Sequence, residues 1–130
     1  MIILNNVFEH LESPMAVLSQ LTAALRPGGV MFLQTLSSQS LTLWAQGGNW
    51  YYFDAGHLYV PSHVSMKHYF RRNALTVLRS STHGYRSGSA SKTGQRSYLR
   101  RRCDKWLANV ASLSYTGTRV QYLLQREVVG

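Results

Sequence analysis

Cysteine is nearly missing from this chain: Cys103 is the only one in 130 residues. An intramolecular disulfide is therefore impossible, a cysteine-based zinc site is excluded, and nothing asks for an oxidising compartment. No apolar run approaches the ~18 residues of a membrane-spanning helix, and no basic-then-apolar stretch of a secretory signal opens the sequence. A soluble, cytoplasmic protein is the expectation. Internal repeats and heptad runs are also lacking, which excludes solenoids and coiled coils. What is there suffices for one packed interior: 45% of residues are hydrophobic and 12% aromatic. The length suits a single domain over residues 1–130.

Acids are scarce, five against 14 Lys and Arg, and the imbalance is uneven. Residues 1–66 hold one cation, Arg26, against Glu9, Glu12 and Asp54, a net −2; the rest holds thirteen cations against two acids, a net +11. Most of these cations are scattered, as on a solvated face, but Arg71-Arg72 and Arg100-Arg101-Arg102 are clusters. They allow an alternative reading, a basic module gripping RNA phosphates or an acidic membrane surface.

Along the chain, Ile2-Ile3-Leu4 has no polar alternation and reads as a strand covered on both faces of a parallel sheet. Ser13-Pro14 opens a helix, with Ser as cap and Pro in the first turn. Val17, Leu18, Leu21 and Leu25 form its buried stripe, and Ser19, Gln20, Thr22 and Arg26 its outer side. Pro27-Gly28-Gly29 stops it, and Val30 to Leu36 is a second buried strand. Strand, helix and strand make a parallel βαβ unit.

Residues 37–60 show no clean period and carry Trp44, Trp50, Tyr51, Tyr52, Phe53, His57 and Tyr59. They read as a lid over a ligand, because loops leaving the C-terminal ends of parallel strands are where α/β sheets bind; the other option is a loop packing its own small core. Pro61-Ser62 begins another helix, with Val64, Met66, Tyr69 and Phe70 as its apolar side, and Leu75, Val77 and Leu78 form a strand. Residues 80–97 are rich in Ser, Thr and Gly, and read as a flexible connection inside the domain. Leu99, Cys103, Trp106, Leu107 and Val110 share one face of a basic helix. Val120, Tyr122 and Leu124 alternate in a terminal strand.

The string Asn6-Val7-Phe8-Glu9-His10-Leu11-Glu12-Ser13-Pro14, then a helix, Leu25-Arg26-Pro27-Gly28-Gly29 and an apolar strand, resembles the C-terminal half of a class I S-adenosylmethionine-dependent methyltransferase. The family typically reads Glu-His-Leu, Asp-Pro, helix, Leu-Lys-Pro-Gly-Gly, strand. Gly56-His57-Leu58-Tyr59-Val60-Pro61-Ser62 is similar to the family's His-Leu segment before its next helix. Arg72-Asn73-Ala74-Leu75-Thr76-Val77 stands where Arg-Ala-Gly-Phe-x-Val usually occurs. The likeness covers residues 1 to about 80, and Arg119 to Val128 matches the family's last, antiparallel strand.

The resemblance implies an α/β fold: a partial doubly wound, Rossmann-like sheet with a parallel βαβ unit, then helix, strand, basic helix and antiparallel terminal strand. It also implies S-adenosylmethionine as cofactor and a small-molecule methyl acceptor. The family's glycine-rich cofactor loop has no counterpart here, since Gly-x-Gly-x-x-Gly occurs nowhere. Most of the cofactor site is thus absent, and a partner N-terminal half or a homodimer is expected to complete it. The isolated chain is expected to bind the cofactor very weakly, and the edge of its first strand is left open for pairing.

The resemblance further places Asn5, Asn6 and Val7 beside the cofactor, and makes Glu9 and His10 the titratable candidates for catalysis, His accepting the acceptor's proton. Trp44, Trp50, Tyr51, His57 and Tyr59 are the candidate lining of an acceptor pocket. A metal-assisted subset of similar enzymes carries Glu-x-x-Glu-His. Here Asn6 replaces the first carboxylate, one fewer hard ligand; His57 is the residue that would complete a set with Glu9 and His10, but followed by Leu and Tyr it reads as packed, so no metal is assigned.

Overall fold

The computed structural model describes residues 1–83 and 117–128. Strands β1 (Ile2–Asn5), β2 (Val30–Leu36), β3 (Leu75–His83) and β4 (Arg119–Arg126) form one sheet in the order β1-β2-β4-β3. β1 and β2 are parallel, with Ile2 opposite Met31 and Asn5 opposite Gln34; β4 is antiparallel to both its neighbours. Helices α1 (Pro14–Ala24), α2 (Leu41–Gln46) and α3 (His63–Arg72) fill the connections. The sequence pattern has β1 covered on both faces, but only Leu4 is buried in the core; Ile3 points to the other face of this edge strand and is 59% exposed. β1 ends where Asn6 turns the chain at φ 53°, a conformation that Asn tolerates better than most.

The βαβ unit and its boundaries match the sequence pattern, with two local differences in α1 and one beyond it in α3. Ser13 makes no side-chain cap; α1 starts on Pro14 alone. Thr22, expected outside, is buried, and its hydroxyl is satisfied by the Leu18 carbonyl at 2.8 Å. Val64 of α3 is exposed and His63 takes its place inward, one turn from Met66 and two from Phe70. Ser62 caps α3 as expected, accepting from Ser65 N at 3.0 Å. After α1, Gly28 adopts φ 74°, and a Cβ on Gly29 would lie 2.8 Å from the Arg26 carbonyl, so the Pro-Gly-Gly turn requires both glycines.

One face of the sheet carries the core. Leu4, Met31, Leu33, Val120, Tyr122 and Leu124 alternate inward and meet Leu18 and Leu25 of the α1 region and Met66 and Phe70 of α3. The other face bears a row of amides. Gln34 donates to the side-chain oxygens of Asn5 (2.8 Å) and Asn6 (3.0 Å), and Gln121 donates to Gln34 at 2.6 Å and accepts from Ser81 at 3.4 Å. This row ties all four strands together and fixes the turn after β1. β3 runs through His83, paired with Arg119, so residues 80–83 of the expected flexible connection are strand. Residues 84–97, and the expected basic helix with Arg100 to Arg102, lie outside the described residues.

Candidate functional site

Parallel β1 and β2 end on the same edge, at Asn5 and Leu36, and β4 starts there at Arg119 opposite Leu36. Three segments therefore converge: a one-turn 3-10 helix Phe8–His10 after β1, the 37–61 loop after β2, and the start of β4. The loop is fastened at both ends. Ser37 N donates to the Thr118 carbonyl (3.0 Å) and Ser38 N to that of Pro61 (2.9 Å), while the Glu9 carbonyl accepts from Leu58 N (2.8 Å) and Tyr59 N (3.1 Å).

Between these fastenings the loop packs a small ring cluster of its own. Trp50 is 2% exposed, donates from its indole N–H to Thr42 at 2.9 Å, and meets Tyr52 and Phe53 edge-on. α2 inside the loop is capped by Ser40, which accepts from Thr42 N at 3.1 Å. Of the two options left open by the aromatic composition, the loop that packs its own small core is the one these contacts build.

Beneath it, Glu9 is 2% exposed and accepts from the Thr35 hydroxyl at 2.9 Å. A carboxylate so enclosed needs compensation, and two histidines stand beside it. Donor atoms of Glu9, His10 and His57 all lie within 4.8 Å of one another, and the two imidazole centroids are 4.7 Å apart. His10 Nδ1 faces the Gly56 carbonyl at 2.5 Å; a carbonyl only accepts, so Nδ1 carries the proton and Nε2 keeps the lone pair in the neutral ring. His57 Nδ1 is 2.9 Å from Asp54 Oδ1, close enough for charge attraction yet off the line of a hydrogen bond. Asp54 is held below its ordinary value, first by the Gly56 backbone N–H; desolvation opposes this, and His57 lowers it further.

The candidate residues distribute unevenly. Glu9, His10 and His57 come together, and His57, read from the sequence as packed, faces both of the others. Asn5 and Asn6 adjoin them with their side-chain oxygens engaged by Gln34, and Val7 is exposed at the turn. Tyr59 is half-buried and edge-on to Phe8 at 5.7 Å. Trp44, 85% exposed, lines an open cleft of about 400 Å³ with Ser38, Gln39, Ser40 and Leu41. Tyr51 is exposed and edge-on to Tyr52, whereas Trp50 lies inside the loop's core. Thr35, Gly56, Asp54 and Tyr52, which meets the His57 ring at 5.9 Å, complete the site without having been named as candidate site residues. The signals for Tyr52 and Gly56 were the ring-rich segment and the Gly56-His57-Leu58 string.

A mixed sheet with parallel β1 and β2, antiparallel β4 and helices in its connections is Rossmann-like, the architecture of solved methyltransferases. Residues 1–80 match the family described as "Methyltransferase domain", and the chain belongs to that family. Among solved structures it is similar to an S-adenosylmethionine-dependent methyltransferase from Archaeoglobus fulgidus, at TM-score 0.59 and 10% identity, covering 95% of this chain and 57% of that one. It is also similar to a structure of the Haloferax volcanii Trm112 methyltransferase activator in complex with a methyltransferase, at TM-score 0.59 and 14% identity, covering 98% of this chain and 54% of that one. The chain spans little more than half the length of these solved proteins. No curated protein sequence matches it. No helix among the described residues is long and apolar enough to cross a membrane.

Proposed function

We propose that this chain forms the acceptor side of an S-adenosylmethionine-dependent methyltransferase. The observation that carries the reading is the convergence of Glu9, His10 and His57 at the C-terminal end of the parallel pair, under the 37–61 loop, in a chain of the methyltransferase family. When bound, S-adenosylmethionine supplies a methyl group on a sulfonium whose sulfur keeps the electron pair of the breaking bond. The chain's residues do the remainder. His10 Nε2, with its lone pair fixed by the Gly56 contact, takes the proton that the acceptor's oxygen or nitrogen releases as its bond to the methyl carbon forms. Glu9, anchored by Thr35, stabilises the imidazolium. The loop holds the acceptor, with Trp44, Tyr51 and Tyr59 as its ring surfaces.

The residues present fit only one wall of a cofactor site. Asn5 and Asn6 offer side-chain amide N–H groups and Val7 an apolar surface, but the sequence holds no Gly-x-Gly-x-x-Gly to stand opposite. A further segment or a second chain pairing in parallel with the open edge of β1, where Ile3 is 59% exposed, supplies the other wall. The test is methyl transfer from labelled S-adenosylmethionine into a small-molecule extract. It is run with the purified chain and with the chain recovered together with its partners from its own cells. Label transferred by the recovered assembly and lost on His10→Gln supports the reading; an assembly in which His10→Gln transfers at the unsubstituted rate overturns it.

The same three donors favour a second version of the site. Glu9 oxygen and the two imidazoles suit a divalent cation, which would polarise an acceptor hydroxyl in place of a proton acceptor. In that case Mn2+ or Zn2+ raises the melting temperature of the chain, EDTA reverses the rise, and Glu9→Gln abolishes it. A melting curve indifferent to metal and chelator leaves the proton-transfer version alone.

A further inference from the structure

Arg119 stands apart among the described cations. Arg126, at the other end of β4, gives its guanidinium to carbonyls of Thr22, Ala23 and Leu25. Arg119 Nε is closed off from solvent, and no described group accepts a hydrogen bond from it. A buried donor left without an acceptor is costly, and such a group in a folded protein calls for an explanation. Its position supplies one. Arg119 begins β4 opposite Leu36, on the edge where the parallel strands end, and the neighbouring Thr118 carbonyl holds Ser37 at the root of the loop. Its Cζ lies 5.8 Å from the centre of the Tyr52 ring, a contact that steadies the guanidinium plane. Tyr52 also meets His57, so one ring touches both the arginine and the Glu9–His10–His57 cluster. No salt bridge to Arg119 exists among the described residues, and its charge is felt next door: together with burial, it holds His83 below the ordinary histidine value.

From this geometry we propose that Arg119 recognises an oxyanion, a carboxylate or a phosphate, carried by the methyl acceptor. The planar fork of a guanidinium suits two parallel hydrogen bonds to such a group, and Nε is one of the donors that a side-on pair uses. Tyr52 then separates the charged end of the acceptor from the atom to be methylated. The word acceptor rests on the methyltransferase reading, whereas the anion site does not.

The test follows tryptophan fluorescence, since Trp50 packs against Tyr52. The full chain is titrated with sodium phosphate and separately with sodium benzoate, ionic strength being held constant with sodium chloride. A saturable change is expected with one of them, and which one responds decides between phosphate and carboxylate. Arg119→Gln is expected to weaken binding by about tenfold or more, and Arg119→Lys by less, because a charge-assisted hydrogen-bond pair is lost or only partly replaced. Arg79→Gln, which removes the same charge from an exposed position on β3, leaves binding unchanged. No saturable response in the unsubstituted chain, or equal losses in the Arg119 and Arg79 variants, overturns the proposal. Should Arg119→Gln fail to fold by circular dichroism, the Arg119→Lys and Arg79→Gln comparison decides it. Anion binding that depends on Arg119 without any methyl transfer would defeat the enzymatic reading alone; methyl transfer with no effect of Arg119 would defeat only this one.

Discussion

Ala74 follows α3 at φ 51°, a left-handed conformation that costs an L-residue energy through its Cβ. It occupies the position at which the family's Arg-Ala-Gly-Phe-x-Val segment carries glycine. Ala74→Gly removes that strain at the cost of some unfolded-state entropy, and is expected to stabilise the chain by roughly 0.5–1 kcal/mol in a denaturant titration. A second residue sets a pH dependence. His63 is buried, stacked on Tyr122 and 2.7 Å from its hydroxyl; desolvation first, and the Lys67 charge second, hold it below its ordinary 6.5. Protonation is therefore easier in the unfolded chain, so the stability from neutral His63 is complete above pH 6.5 and is lost as pH falls below it. His63→Gln is expected to flatten the fall of melting temperature below pH 6.5; the slope that persists belongs in part to His83, which is shifted the same way by burial and by Arg119.

Among the elements, α1 has no basic residue in its last turn, and its terminal carbonyls are served from the far end of the chain. Arg126 Nη1 donates to Thr22 at 3.2 Å, to Ala23 at 2.9 Å and to Leu25. This binds the helix between the parallel strands to the antiparallel strand and places a cation at the negative end of the helix. Arg126→Met keeps much of the side chain's length but none of its donors, and is expected to cost roughly 2 kcal/mol in thermal or denaturant unfolding. The element boundaries were legible because each has a local cause: Pro14 and Ser62 at helix starts, Pro27-Gly28-Gly29 at a stop, apolar Val30 to Leu36 between them. Val64 and Thr22 were misplaced because periodicity finds a stripe yet not its width, and the neighbours of α1 and α3 set that width.

For the whole molecule, the sheet has two different faces and, among the described residues, two edge strands, β1 and β3. Helices cover the core face, and the amide row from Asn5 to Ser81 runs across the other. β1 presents an edge that is unpaired among the described residues, and no Gly-x-Gly-x-x-Gly occurs in the sequence to form the second wall that the proposed cofactor site needs. Calorimetry on the isolated chain is therefore expected to show no micromolar affinity for S-adenosylmethionine; a micromolar dissociation constant would show that one wall suffices.

The sequence by itself determined the class of fold, the βαβ unit, the turn that bears Glu9 and His10, and the aromatic segment near them. These follow from spacing, punctuation and residue type over a few neighbours, which act before any long-range contact exists. Tertiary structure decided the membership of the site. His10 meets Gly56 across 46 positions, His57 turns inward beside Glu9, and Arg119 reaches Tyr52 only because β4 pairs antiparallel with β2 at one particular register. Such meetings depend on where the loop is fastened and how the strands align, and those arise from the packing of the entire sheet.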